Sequence, residues 1–128
     1  MKRILIVDDD VNIVEFAEAV LEDEPGFMIG KAYDGNQAMT VATQWPPHLV
    51  VLDITLPYRD GLSVLRLLKR DRRTAHAKVI IVTGQDSGLA EVNSMKLGAD
   101  GFMLKPFSPA DLRNKVAEVL NIDLAVAV

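Results

Sequence analysis

The chain has 128 residues, 49% hydrophobic and 25% charged, the size and balance of one globular domain rather than two, and general disorder is excluded. It contains no cysteine and two histidines, His48 and His76, which excludes disulfide scaffolds, zinc–thiolate sites, thiol nucleophiles and poly-histidine metal cages. Eighteen acidic against fourteen basic side chains leave a net charge of −4, a poor match to a domain that neutralises nucleic-acid phosphates.

In chain order, the first apolar run, Ile4 to Val7, shows little alternation and ends in Asp8-Asp9-Asp10. It reads as a strand covered on both faces, as in a parallel sheet. Met1-Lys2-Arg3 ahead of it has a signal-peptide flavour that the aspartates interrupt, and every apolar run is far below the ~18 residues of a membrane span. A soluble cytoplasmic domain is therefore the expectation. The next segment carries Ile13, Phe16, Ala17 and Val20 at helical spacing, with Asp10 read as its cap. Pro25-Gly26 turns the chain into a second strand, Phe27 to Ala32, and Pro46-Pro47 stops a second helix, with Trp45 as a packing cap over it.

A third strand, Leu49 to Leu52, is followed by Asp53. The third helix places Leu62, Leu65 and Leu68 on one stripe, and the cluster Arg66, Lys69, Arg70, Arg72 and Arg73 reads as cations at its C-terminus. Strand four, Val79 to Val82, ends in Thr83, and Gly98 closes the fourth helix as a C-cap glycine. Strand five, Phe102 to Leu104, ends in Lys105-Pro106. Ser108, Pro109 and Asp111 open a last helix striped by Leu112, Val116, Val119 and Leu120. Strand alternating with helix predicts βαβ crossovers and a three-layer α/β domain, a doubly wound five-stranded parallel sheet. Residues 1–121 are expected to form it, and the apolar stretch 122–128 reads as a frayed end or the start of a linker. His48 and His76 lack any triad partner and read as surface or loop residues.

Ligands bind beyond the carboxyl ends of the strands in such sheets, so the residues that end each run matter most. Those ends deliver Asp8, Asp9, Asp53, Thr83 and Lys105 to one edge. Three aspartates brought together repel, and a hard divalent cation with oxygen ligands, Mg²⁺ above all, removes the conflict. A hydroxyl and an ammonium beside them suit phosphoryl oxygens, and an aspartate carboxylate can itself be the nucleophile.

With these residues in view, the chain resembles the receiver domain of two-component response regulators from Lys2 to about Asn121. The matching stretches are Ile4-Leu5-Ile6-Val7-Asp8-Asp9, Val50-Val51-Leu52-Asp53-Ile54-Thr55-Leu56-Pro57, Asp60-Gly61, Ile81-Val82-Thr83-Gly84, and Gly98-Ala99-Asp100-Gly101-Phe102-Met103-Leu104-Lys105-Pro106-Phe107. The resemblance implies a flavodoxin-like sheet of order 2-1-3-4-5. It implies that Asp53 accepts a phosphoryl group from a phosphohistidine on a histidine kinase or phosphotransfer protein. Asp9, Asp53 and the Thr55 backbone carbonyl would ligate Mg²⁺ (or Mn²⁺), with Asp8 acting through a bound water. Lys105 and Thr83 would meet phosphoryl oxygens, Phe102 would be the switch aromatic, and the Lys105-Pro106 bond would be cis.

Two positions in this family tune dephosphorylation by controlling the attacking water, and here they hold Thr55 and Gln85. Gly84 stands where alanine is frequent, and Phe102 replaces a common tyrosine. The implied output is binding or dimerisation through the surface of helix four, strand five and helix five, without direct nucleic-acid or membrane contact. A rival reading, an aspartyl phosphohydrolase of the haloacid-dehalogenase type, wants a second aspartate two residues after Asp53, where this chain has Thr55. The chain is thus read as a phosphoacceptor switch and not an enzyme.

Overall fold

The computed structural model of the chain describes residues 1–84 and 88–124, for Leu89 the backbone alone. Gln85 and the end of the apolar tail, 125–128, lie outside the described residues. Five strands alternate with five helices: β1 (Lys2–Val7), α1 (Val11–Glu22), β2 (Phe27–Ala32), α2 (Gly35–Gln44), β3 (Leu49–Asp53), α3 (Gly61–Arg70), β4 (Lys78–Thr83), α4 (Gly88–Lys96), β5 (Gly101–Leu104) and α5 (Pro109–Leu120). All pairings are parallel and the sheet order is β2-β1-β3-β4-β5. Strand order reverses beside β1, which opens the crevice between β1 and β3 at their carboxyl ends.

The central strands are apolar along their length because both sides of the pleat are covered. Ile4, Ile6, Leu49, Val51, Ile80 and Val82 face α1 and α5, packing on Val14, Ala17, Leu21, Leu112 and Val116. Leu5, Val7, Val50, Leu52, Val79 and Ile81 face the other way, onto Ala38, Ala42, Val64, Leu65 and Leu68 of α2 and α3. Burying one such side chain contributes about 1.5–3 kcal/mol, so these two layers supply most of what holds the sheet to its helices. β2 lies at the sheet edge and is covered less completely, with Met28 exposed.

The caps act as their residue types require. Asp10 accepts from the Asn12 N–H at 2.9 Å, and Asp60 accepts from the Ser63 N–H at 2.9 Å. Ser108 and Asp111 form a reciprocal capping box around Pro109. Gly98 follows α4 at φ +98, and Asn121 closes α5 in the left-handed region.

One local expectation needs correction. The buried stripe of α1 is Val14, Ala17, Val20 and Leu21, while Phe16 is 37% exposed and pairs with Phe107 at 5.9 Å between ring centroids. Trp45 does cap α2: it is the C-cap residue, its N–H donating to the Val41 carbonyl at 2.8 Å. Its ring lies on β2 at Gly30, where an added Cβ would come within 2.6 Å of it. His48 lies in the loop before β3 as expected, and there its Nδ1 accepts the Arg3 N–H at 2.9 Å while its backbone joins Arg3 and Lys78.

Candidate functional site

Asp8 follows the last residue of β1, and the peptide beyond it turns back on its side chain, the Asp10 N–H donating to Asp8 Oδ1 at 2.9 Å. Asp53 is the last residue of β3 and accepts in the same way from the Thr55 N–H at 3.0 Å. Because β1 and β3 are neighbours in register, both turns occur side by side. Lys105 arrives from the far edge of the sheet. Its backbone N–H donates to the Thr83 carbonyl at 2.8 Å, which ties the end of β5 to the end of β4, and the Lys105-Pro106 peptide bond is cis.

From that anchor the Lys105 ammonium reaches across and donates to Asp8 Oδ2 at 2.7 Å and Asp53 Oδ2 at 3.1 Å. Side-chain exposure is 21% for Lys105, 4% for Asp8 and 7% for Asp53, so solvent screens these charges little. Burial pushes the Asp8 carboxyl above its ordinary value and the Asp53 charge adds to this, while hydrogen bonds from Lys105 and Asp10 pull it back. For Lys105, burial opposes the charge, but the hydrogen bonds and charges of Asp8 and Asp53 outweigh it and raise the pKa.

Asp9 is exposed at the rim, yet one carboxylate oxygen each from Asp8, Asp9 and Asp53 lie within 4.8 Å of one another. Three hard oxygens at that spacing fit one small dication, and no softer donor competes among them. The cluster is an acidic triad faced by a lysine.

Thr83 is buried at the end of β4, one residue beyond Val82, which pairs with Asp53 in the register. Phe102, half-buried on β5, packs towards the α2–α3 layer. Thr55 is exposed two residues past Asp53. Asp8, Asp9, Asp53 and Lys105 thus meet in one pocket, and Thr83 ends the neighbouring strand β4.

Two contacts had no signal in the residue pattern. Asp100 Oδ2 accepts from Lys69 Nζ at 3.0 Å and from the Val79 N–H at 2.9 Å, so part of the α3 basic cluster serves as a brace between α3, β4 and β5. Arg73 forks onto Asp71. Both join residues whose spacing in sequence carries no periodicity. A hydrophobic stripe would have been visible and these are not.

Residues 4–117 match the response regulator receiver domain family. The chain is 35% identical over 119 residues to the alkaline phosphatase synthesis transcriptional regulatory protein PhoP of Bacillus subtilis (strain 168), covering 93% of this chain and 48% of that protein. It therefore spans about half the length of that curated relative. Among solved structures, a CheY-like response regulator receiver domain protein from Methanospirillum hungatei JF-1 superposes with a TM-score of 0.87 at 34% identity, covering 94% of each chain. The chemotaxis response regulator CheY4 of Vibrio cholerae shares the fold, with a TM-score of 0.87 at 24% identity over 93% of this chain and 98% of that one. No helix among the described residues is long and apolar enough to cross a membrane. With the sheet order, the acidic pocket and its lysine all in place, the chain belongs to the response regulator receiver domain family, whose members are typically non-enzymatic phosphoacceptor switches partnered by a histidine kinase.

Proposed function

We propose that Asp53 is the phosphoacceptor. One of its carboxylate oxygens attacks the phosphorus of a phosphohistidine on a histidine kinase or phosphotransfer protein, the P–N bond breaks, and the imidazole nitrogen leaves with the electron pair. The observation that carries the reading is the Lys105 ammonium held against Asp53 at 3.1 Å and Asp8 at 2.7 Å, where it can follow negative charge from a carboxylate to a phosphoryl oxygen.

Asp9, Asp53 and the Thr55 carbonyl would hold Mg²⁺ or Mn²⁺, with Asp8 acting through a water. The cation, when bound, neutralises the charge that two anions would otherwise oppose to each other. Asp8 and Lys105 keep the Asp53 carboxylate oriented, and the buried walls around them limit access of bulk water. Thr83 is assigned to a second phosphoryl oxygen and Phe102 to the aromatic that follows it. The consequence is rearrangement of the surface of α4, β5 and α5, which binds a downstream protein or domain, or a second copy. Thr55 and Gln85 would tune how long the phosphoryl group lasts. The working unit is assigned to residues 1–121, supported by the left-handed cap at Asn121, with 122–128 as a tail or linker and the chain acting in the cytoplasm.

The test is incubation with a small acyl-phosphate donor and Mg²⁺, followed by intact-mass measurement. One added phosphoryl group is expected on the wild type, none on Asp53→Asn, and none after chelation. Charging of Asp53→Asn at the wild-type rate would overturn the assignment.

A further inference from the structure

The loop between β3 and α3 contains a side chain that the phosphoacceptor chemistry does not use. Tyr58 has φ +67, and the Arg59 N–H donates across it to the Pro57 carbonyl at 2.8 Å. This is a three-residue turn with positive φ at its apex, the rare and strained form of the γ-turn. Glycine adopts such a conformation freely, whereas a bulky L-residue there is an outlier. The side chain gains little from the fold in return, because Tyr58 is 86% exposed.

The turn is also braced. Arg59 Nε donates to Asn36 Oδ1 at 3.2 Å, and Gly35 at the start of α2 lies so close to Arg59 that a Cβ there would collide with the Arg59 carbonyl oxygen. The Tyr58 ring forms one wall of a cleft of about 440 Å³, completed by Asp34, Asn36, Gln37, Thr40 and Val41. Since the loop leaves directly from Asp53, and α2 starts where β2 ends, this cleft opens on the same carboxyl edge of the sheet as the acidic pocket.

Backbone strain with no internal return is kept where something outside the fold uses the side chain. Tyrosine offers a large rigid apolar face with a polar tip, the type of residue that anchors protein interfaces. A protein presenting a phosphohistidine to Asp53 must cover the rim from which Tyr58 projects, whereas a small donor need not. We infer that Tyr58 is an anchor for the phosphohistidine-bearing donor protein, held out by the braced turn, with the adjacent, mostly apolar cleft receiving a side chain of the donor. The inference rests on the phosphoacceptor reading of Asp53 and adds the surface that selects the donor.

Wild type, Tyr58→Gly and Tyr58→Phe are charged in parallel with acetyl phosphate and with a phosphorylated histidine-phosphotransfer domain that charges the wild type. Urea unfolding monitors integrity, and Tyr58→Gly is expected to be at least as stable as the wild type. Tyr58→Gly should take phosphoryl groups from acetyl phosphate at the wild-type rate but lose tenfold or more in kcat/KM with the protein donor, chiefly through KM. Tyr58→Phe should keep most of the protein-donor rate. An unchanged rate with the protein donor, or an equal loss with both donors, would overturn the inference. So would loss confined to phosphorylation-dependent self-association, which would reassign the ring to a second copy. Failure of the wild type to accept from acetyl phosphate and from every phosphorylated histidine-phosphotransfer domain tried would instead sink the phosphoacceptor reading itself.

Discussion

Replacing Lys105 with methionine keeps most of the length and the apolar character of the stem while removing the ammonium that bridges Asp8 and Asp53. Two largely buried carboxylates then face each other without a counter-charge. Their oxygens lie within 4.8 Å, and at an effective dielectric of ~20 two unit charges at that separation repel by about 3.5 kcal/mol. Part of this is relieved by relaxation and by water entering the pocket, so a net loss of about 2 kcal/mol at pH 7 in chelator is the expected outcome.

The pH dependence has a definite sign. An acid whose folded pKa lies above its unfolded value of 3.8 contributes stability that is present below 3.8 and lost as pH rises through the folded pKa. Removing the lysine raises the Asp8 pKa further, so the deficit of Lys105→Met should be complete at pH 7 and should close as pH falls towards 4. Magnesium should restore more stability to the variant than to the wild type, because the dication replaces a missing charge in one and competes with a present one in the other. Urea unfolding followed by far-UV circular dichroism, with and without Mg²⁺, reads both effects. A deficit that stays constant from pH 7 to pH 4, or one that Mg²⁺ leaves untouched, would refute the electrostatic account.

Two further outcomes are expected away from the pocket. Gly30→Ala drives a methyl group into the Trp45 ring, 2.6 Å from the nearest ring carbon, and should cost about 1–3 kcal/mol with a shift in tryptophan emission, since this is the chain's single tryptophan. His48 is held neutral by burial and by nearby Arg3 and Lys2, and its pKa falls below the usual 6.5. The stability it contributes is therefore present above pH 6.5 and lost as pH falls through the lowered folded value. Comparing urea midpoints of wild type and His48→Gln between pH 7.5 and 5 should show the wild type losing more, and parallel curves would contradict the role of the Arg3 contact.

The strands were legible because a β-segment covered on both faces must be apolar throughout, and Ile4–Val7, Leu49–Leu52 and Val79–Val82 have no other economical reading. The acidic site was legible for a related reason: carboxylates are abrupt after such runs. Helix faces were less so. In α1, Ile13 and Phe16 fit a 3.6-residue period about as well as Val14 and Leu21, and the tie is decided by where α5 and the β5–α5 loop lie, as the Phe16–Phe107 pair shows. Contacts of single atoms left no trace at all. Nothing local to His48 announces that its ring accepts from Arg3, 45 residues away, and nothing in Pro57-Tyr58-Arg59 announces a positive φ at the tyrosine, where composition favours glycine.

Asp8 and Lys105 stand 97 residues apart along the chain, yet the Lys105 ammonium donates to Asp8 Oδ2 at 2.7 Å. A ribosome-bound or truncated polypeptide that has not yet added its fifth strand therefore lacks one member of the pocket, however well its first strands have paired. Assembly of the pocket in this sense reports on the strands up to the fifth: a chain that stops short of Lys105 leaves Asp8 and Asp53 without their counter-charge.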